Sequence, residues 1–158
     1  MSFRALPLPP GVAGRLWLAP MPGRLAPWPE FVAEARAAGL TRIVCLTPRD
    51  EIAELSPHYL AAIEAHTLPC GWQAIPMRNF GVARELQTFK DGIEALATAL
   101  GAGEVLLLHC AAGIGRTGTA GACLLKRLGL SADEALQRVQ AAGSNPESAR
   151  QSGWIEAF

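Results

Sequence analysis

Charge of one sign, long apolar runs and paired metal-ligand spacings are all missing from these 158 residues. Each gap removes a class of function. Lys and Arg number 14 and Asp and Glu 14, so there is no electrostatic case for nucleic acid or for a membrane surface as partner. No apolar stretch approaches the roughly 20 residues of a membrane span. The N-terminus is punctuated by proline and glycine and lacks the continuous apolar region of a secretory leader. The four cysteines, at 45, 70, 110 and 123, follow no C-x-x-C spacing and lie in apolar surroundings. They read as reduced thiols of a cytoplasmic protein, with neither a disulfide nor a metal framework, and nothing in the sequence asks for a cofactor. Without a Gly-Lys-Ser/Thr triplet there is no nucleoside-triphosphate loop. Aspartate is scarce, with Asp50, Asp91 and Asp133 the only three. Repeats and low-complexity linkers are absent too, so the reading is one domain, 1–158, with an irregular arm over 1–14.

What the chain does have is one dense stretch, Val105-Leu-Leu-Leu-His109-Cys110-Ala111-Ala112-Gly113-Ile114-Gly115-Arg116-Thr117-Gly118. Four apolar residues read as a buried strand, and the small residues after Gly115 open a helix. A turn from strand to helix aims successive backbone N–H groups at one point, which makes an anion site. Gly113 and Gly115 let the backbone curl there. An anion held by residues 111 to 116 would sit over Cys110 Sγ.

The chemistry follows from that placement. A helix N-terminus and nearby cations favour the thiolate, a nucleophile for the phosphorus of a phosphomonoester. Arg116 offers a planar fork for two phosphoryl oxygens. Thr117 can donate a hydrogen bond to Cys110 Sγ as the sulfur departs, while His109 orients the loop and tunes the thiolate. The spacing His-Cys, five residues, Arg, Thr resembles the signature of the cysteine-dependent protein tyrosine and dual-specificity phosphatases. A competing motif overlaps it: Gly113 to Gly118 also fits G-x-G-x-x-G. A dinucleotide site needs an acidic residue at a strand end roughly 20 positions on. The acids at that distance, Asp133 and Glu134, instead begin a helix, so the dinucleotide reading fails on context.

Along the rest of the chain, strands are expected over 15–19, 41–46 and 72–77, besides the one before Cys110. Helices are expected over 29–38, from Thr47-Pro48 and Ser56-Pro57 (each a hydroxyl cap followed by proline), and over 86–100, 117–128 and 146–158. One more starts at the capping box Ser131/Glu134. Strands alternating with helices predict an α/β fold with a mainly parallel central sheet flanked by helices. Such sheets place ligands at the carboxyl ends of their strands.

Thr47-Pro-Arg-Asp-Glu-Ile, Ile75-Pro-Met-Arg-Asn-Phe-Gly-Val, the loop, and Arg150-Gln151 occur in the order seen in the kinase-associated type of dual-specificity phosphatase. That resemblance implies a tyrosine-phosphatase-like fold, hydrolysis through a cysteinyl-phosphate, and a phosphoprotein or phosphopeptide as substrate. It makes Glu51 an acid at the rim of the site and Gln151 a residue that helps position water. It also exposes a departure. Where the family carries an aspartate that protonates the leaving oxygen, this chain has Asn79, and a general acid is typically worth 10²–10⁴-fold. Glu51 and then Asp50 are the candidate replacements; Arg78 and Arg84 are candidate substrate contacts. Three readings follow: a phosphatase favouring phosphotyrosine, with phosphoserine and phosphothreonine as further candidate substrates; a phosphate-binding module with weak turnover; or another use of the thiolate in transferase or redox chemistry.

Overall fold

Strands β1 (Arg4–Leu6), β2 (Arg15–Ala19), β3 (Arg42–Cys45), β4 (Gly71–Ala74) and β5 (Val105–His109) join in one sheet, ordered β1-β2-β5-β3-β4. The computed structural model describes residues 2–78, 83–146, 149–156 and 158, of which 83 and 149–152 are placed by their backbone alone. Strand β5 lies in the middle. It pairs in parallel with β2, Arg15 opposite Val105 through Ala19 opposite His109, and with β3, Arg42 opposite Leu106 through Cys45 opposite His109. Its apolar run is explained by that position, since a central parallel strand is covered on both faces.

Helices supply the covers. On one face, α4 (Ala83–Gly101), α5 (Gly115–Arg127), α6 (Ala132–Ala141) and α7 (Ala149–Glu156) bury Phe89, Ile93, Leu124, Val139 and Trp154 with Leu106, Leu108 and Cys110. On the other, α1 (Trp28–Ala38), α2 (Arg49–Leu55) and α3 (Pro57–Ala65) bury Phe31, Ile52, Tyr59 and Ile63 with Ile43, Cys45 and Leu107. Alternate residues of β3 and β5 thus serve opposite layers, as strand geometry requires. Among the described residues no helix is long and apolar enough to cross a membrane.

The alternating α/β architecture and the parallel sheet agree with the sequence, and several local expectations need correction. Residues 1–14 are not all irregular: Arg4–Leu6 is an edge strand antiparallel to β2. Three residues ahead of Pro7 are too short to show a period. Neither expected hydroxyl cap forms. Thr47 Oγ1 lies 3.2 Å from Cys45 Sγ and Pro48 takes the cap position, while Ser56 Oγ donates to Pro22 O at 2.7 Å. Both hydroxyls thus find partners outside the helices they precede. At α6 the cap is as expected, with Ser131 Oγ accepting from Glu134 N, although the Glu134 carboxylate turns to Arg138. The strand expected to reach Met77 ends at Ala74; Ile75 N and Met77 N still bond Cys45 O and Leu46 O.

Candidate active site

Strand β5 runs into Cys110, and five residues later α5 begins at Gly115. The helix is apolar and nearly fully buried, so the loop before it is pinned to the middle of the domain. Cys110 sits 3% exposed at its base. Thr117, on the first turn of α5, donates its Oγ1–H to Cys110 Sγ at 3.0 Å.

The carbonyls of His109, Ala111, Gly113 and Ile114 are each turned toward a donor from elsewhere in the chain. Leu46 N takes His109 O at 3.0 Å; Met21 N and Arg24 Nη1 take Ala111 O at 3.2 and 2.9 Å. Gly113 O accepts from Arg4 Nη2 and Ser144 Oγ, and Ile114 O accepts from Gly118 N and Asn145 N, both at 2.9 Å. A peptide unit is planar and trans, so a C=O held outward turns the following N–H inward. The product is a concave run of N–H groups at a helix N-terminus, the arrangement that binds oxyanions. Gly113 makes the curl possible: its φ is 74°, and a Cβ would lie 2.5 Å from the Ala19 backbone.

Arg116 leaves the first turn of α5 and meets Glu51 on α2. Nη1 and Nη2 reach Oε1 and Oε2, each at 2.8 Å, a two-pronged pair. The pair is mostly covered, at 20% and 29% side-chain exposure. Asp50, the other candidate acid, points away and pairs with Arg78 in solvent. Hydrogen bonds from Arg78 hold its carboxyl below the usual range. Asp50 is therefore kept as a charged acceptor outside the loop, and Arg78 is engaged by it.

His109 is buried behind the loop. Its Nδ1 lies 3.1 Å from Cys110 O, and a carbonyl can only accept, so Nδ1 carries a proton. Nε2 lies 2.8 Å from Tyr59 OH, and Trp72 Nε1 donates to that same oxygen at 2.9 Å. Burial pushes the Tyr59 phenol well above its ordinary value, which keeps its proton in place to donate to Nε2. Trp72, Tyr59 and His109 form a one-way chain of donors ending on the backbone of the candidate nucleophile. The chain fixes the imidazole tautomer.

The structure thus gathers Cys110, Ala111, Ala112, Gly113, Ile114, Gly115, Arg116, Thr117, His109 and Glu51 at one end of the sheet. It leaves Asp50 at the periphery. Asn79 and the Gln151 side chain lie outside the described residues. Cys45 and Cys110 face opposite layers of the sheet, so the two thiols are not placed to pair. Burial pushes the Cys70 thiol up to about 11 and that of Cys123 upward too. Sequence reasoning missed Arg4, Arg24, Tyr59, Trp72 and Ser144, whose spacing carries no signal. One clue was available: Tyr59 is the chain's single tyrosine.

A cysteine at the carboxyl end of a central strand, with an arginine and a hydroxyl in the first turn of the helix that follows, is the arrangement that the phosphatase class of α/β domains carries. The chain belongs to the PTP-SAK family, described as a Swiss Army Knife protein, DSP-PTPase phosphatase domain, which matches residues 23–153. Solved structures share the fold. Kinase associated phosphatase, crystallised with its catalytic cysteine replaced by serine, is 20% identical with a TM-score of 0.78, covering 99% of this chain and 92% of that one. Tk-PTP in its active form is 24% identical with a TM-score of 0.72, covering 98% and 95%. TpbA of P. aeruginosa, in complex with pTyr, is 19% identical with a TM-score of 0.61, covering 96% and 88%. No curated protein sequence matches the chain.

Proposed function

We propose that the protein hydrolyses phosphomonoesters of phosphoproteins, phosphotyrosine above all, through a cysteinyl-phosphate. The observation that carries this reading is Cys110 Sγ bonded by Thr117 Oγ1 at the base of a loop whose carbonyls point outward. The phosphoryl group sits in the N–H cradle with its oxygens on Arg116. Cys110 Sγ attacks phosphorus as the bond to the leaving oxygen breaks. Water then attacks the phosphorus, the S–P bond breaks, and Cys110 leaves as a thiolate held by the Thr117 hydroxyl. His109, locked by Tyr59, keeps the Cys110 backbone still through both steps.

Leaving-group protonation sets the preference. Asn79 stands where the family's aspartate is expected, Glu51 accepts two bonds from Arg116, and Asp50 is tied to Arg78. Aryl phosphates, whose phenolate departs without much help, suit such a site better than serine phosphate. The complex of pTyr with the P. aeruginosa relative is in keeping with this. The same engaged carboxylates favour one second reading, a phosphate-binding module with weak turnover. Steady-state rates on an aryl phosphate, a phosphotyrosine peptide and a phosphoserine peptide, with Cys110→Ser as control, separate the two. Turnover on the aryl and tyrosine substrates that vanishes in Cys110→Ser supports the hydrolase. Phosphopeptide binding with no turnover above the Cys110→Ser background supports the module. In the hydrolase, Asn79→Asp should raise the rate, and more for alkyl than for aryl esters.

A further inference from the structure

Arg4 lies over 100 residues from the loop in sequence and touches it in space. From β1 its Nη2 donates to Gly113 O at 2.5 Å, and its Nη1 donates to Ala142 O at 2.7 Å and to Ser144 Oγ at 3.0 Å. Ser144, 1% exposed, uses its own proton on Gly113 O at 2.6 Å. Guanidinium, hydroxyl and carbonyl therefore close a ring of three, with each donor and acceptor matched. The next residue, Asn145, bonds Ile114 O through its N–H. One fork thus ties the edge strand, the α6–α7 connection and the loop together.

The acceptors are unusual for a partly buried arginine. All are neutral oxygens, and among the described residues Arg4 has no carboxylate partner. Its charge is left directed at the back of the loop. Burial lowers its pKa, and a negative charge on Cys110 raises it, so the two groups interact electrostatically.

We propose that Arg4 is a positioning residue of the phosphate-binding loop, holding Gly113 C=O outward and setting a fixed positive charge behind the anion site. This rests on the loop's reading as an anion site. With Gly113 O secured from behind, the Ile114 N–H faces the phosphoryl group; without it, that peptide is able to rotate and present an oxygen to the anion. Lysine would keep the charge and lose the fork.

The test compares wild type with Arg4→Met, Arg4→Lys and Ser144→Ala. Tungstate affinity is measured by calorimetry, kcat and KM on an aryl phosphate, and thermal melting by circular dichroism. Well below melting, Arg4→Met should lose about tenfold or more in tungstate affinity and in kcat/KM, the worth of a charge-assisted hydrogen bond. Arg4→Lys should recover part of that loss. Ser144→Ala should lose less, and the Arg4→Met/Ser144→Ala pair should fall short of the product, because both donors converge on one oxygen. A merely structural strut predicts a lower melting temperature with tungstate affinity and kcat/KM within about twofold of wild type, and that result overturns the proposal. Should Arg4→Met not fold, unchanged tungstate affinity in both Arg4→Lys and Ser144→Ala overturns it equally. If wild type hydrolyses none of the esters, a tungstate loss in Arg4→Met still supports Arg4 while the hydrolase reading falls. No tungstate binding by wild type removes the anion site and the proposal with it.

Discussion

Replacing Gly113 by alanine isolates the packing that shapes the loop. Two costs combine at this position. Its φ of 74° lies in the left-handed region, which for a residue with a Cβ costs roughly 1–2 kcal/mol. The added methyl would also lie 2.5 Å from Ala19 C and O and 2.6 Å from Pro20 N. These are backbone atoms, unable to swing aside, and forced overpacking costs about 1–3 kcal/mol more. Gly39, at the end of α1, is the matched control: its φ is 67°, and a methyl added there would meet nothing within 4 Å. Gly39→Ala should therefore show the conformational cost alone. The difference of about 1–3 kcal/mol corresponds to roughly 2–12 °C in melting temperature for a chain of this size. Gly113→Ala should in addition lose oxyanion affinity, because the loop must move off Ala19 and Pro20. Thermal melts of both variants, with tungstate titrations, make the measurement. Equal melting temperatures and unchanged tungstate binding in Gly113→Ala would refute the close approach.

Tyr59→Phe removes the donor to His109 Nε2 and the acceptor of Trp72 Nε1, leaving both without their partner; a loss of about 1–3 kcal/mol in stability and a slower kcat are expected from denaturant melts and kinetics. Asp50→Asn bears on acid unfolding. Arg78 depresses the Asp50 carboxyl, so its stabilisation is complete above the unfolded-state value near 3.8 and is lost as pH falls from there through the folded value. The variant should show a slightly shallower loss of stability below that pH, and no difference from wild type in slope near neutrality. If the chain is the proposed hydrolase, mild peroxide should abolish turnover by oxidising Cys110, with phosphate protecting; mass spectrometry should find no Cys45–Cys110 disulfide, since the two thiols face opposite layers of the sheet.

The order of elements was legible because burial leaves a period in sequence. The run 105–108 marked the central strand, and Leu86, Phe89, Ile93, Leu96 and Leu100 marked α4. The signature from His109 to Thr117 was legible for a different reason: its chemistry is confined to nine consecutive residues, so spacing alone carries it. Arg4, Tyr59 and Ser144 reach the loop from three distant segments, and no local pattern encodes such meetings. Thr47 and Ser56 misled because a hydroxyl before proline satisfies the capping rule locally, while Thr47 turned back to Cys45 and Ser56 to the distant Pro22 carbonyl. Glu51 was expected at the rim, and only its two-pronged bond to Arg116 shows what it touches.

The outward carbonyls also bear on how the chain folds. Gly113 O is held from a residue 109 positions away and Ala111 O from one 87 positions away, while Ser144 closes a span of 31. Closing such long loops is entropically costly and comes late on a folding pathway. The β5–α5 unit of strand and helix is local and able to form early, but its turn acquires a defined shape only after the first strand and the α6–α7 connection have docked. Recovery of oxyanion binding during refolding should therefore lag behind recovery of helix, and the surroundings of Cys110 stay unassembled until Arg4 and Ser144 have come together.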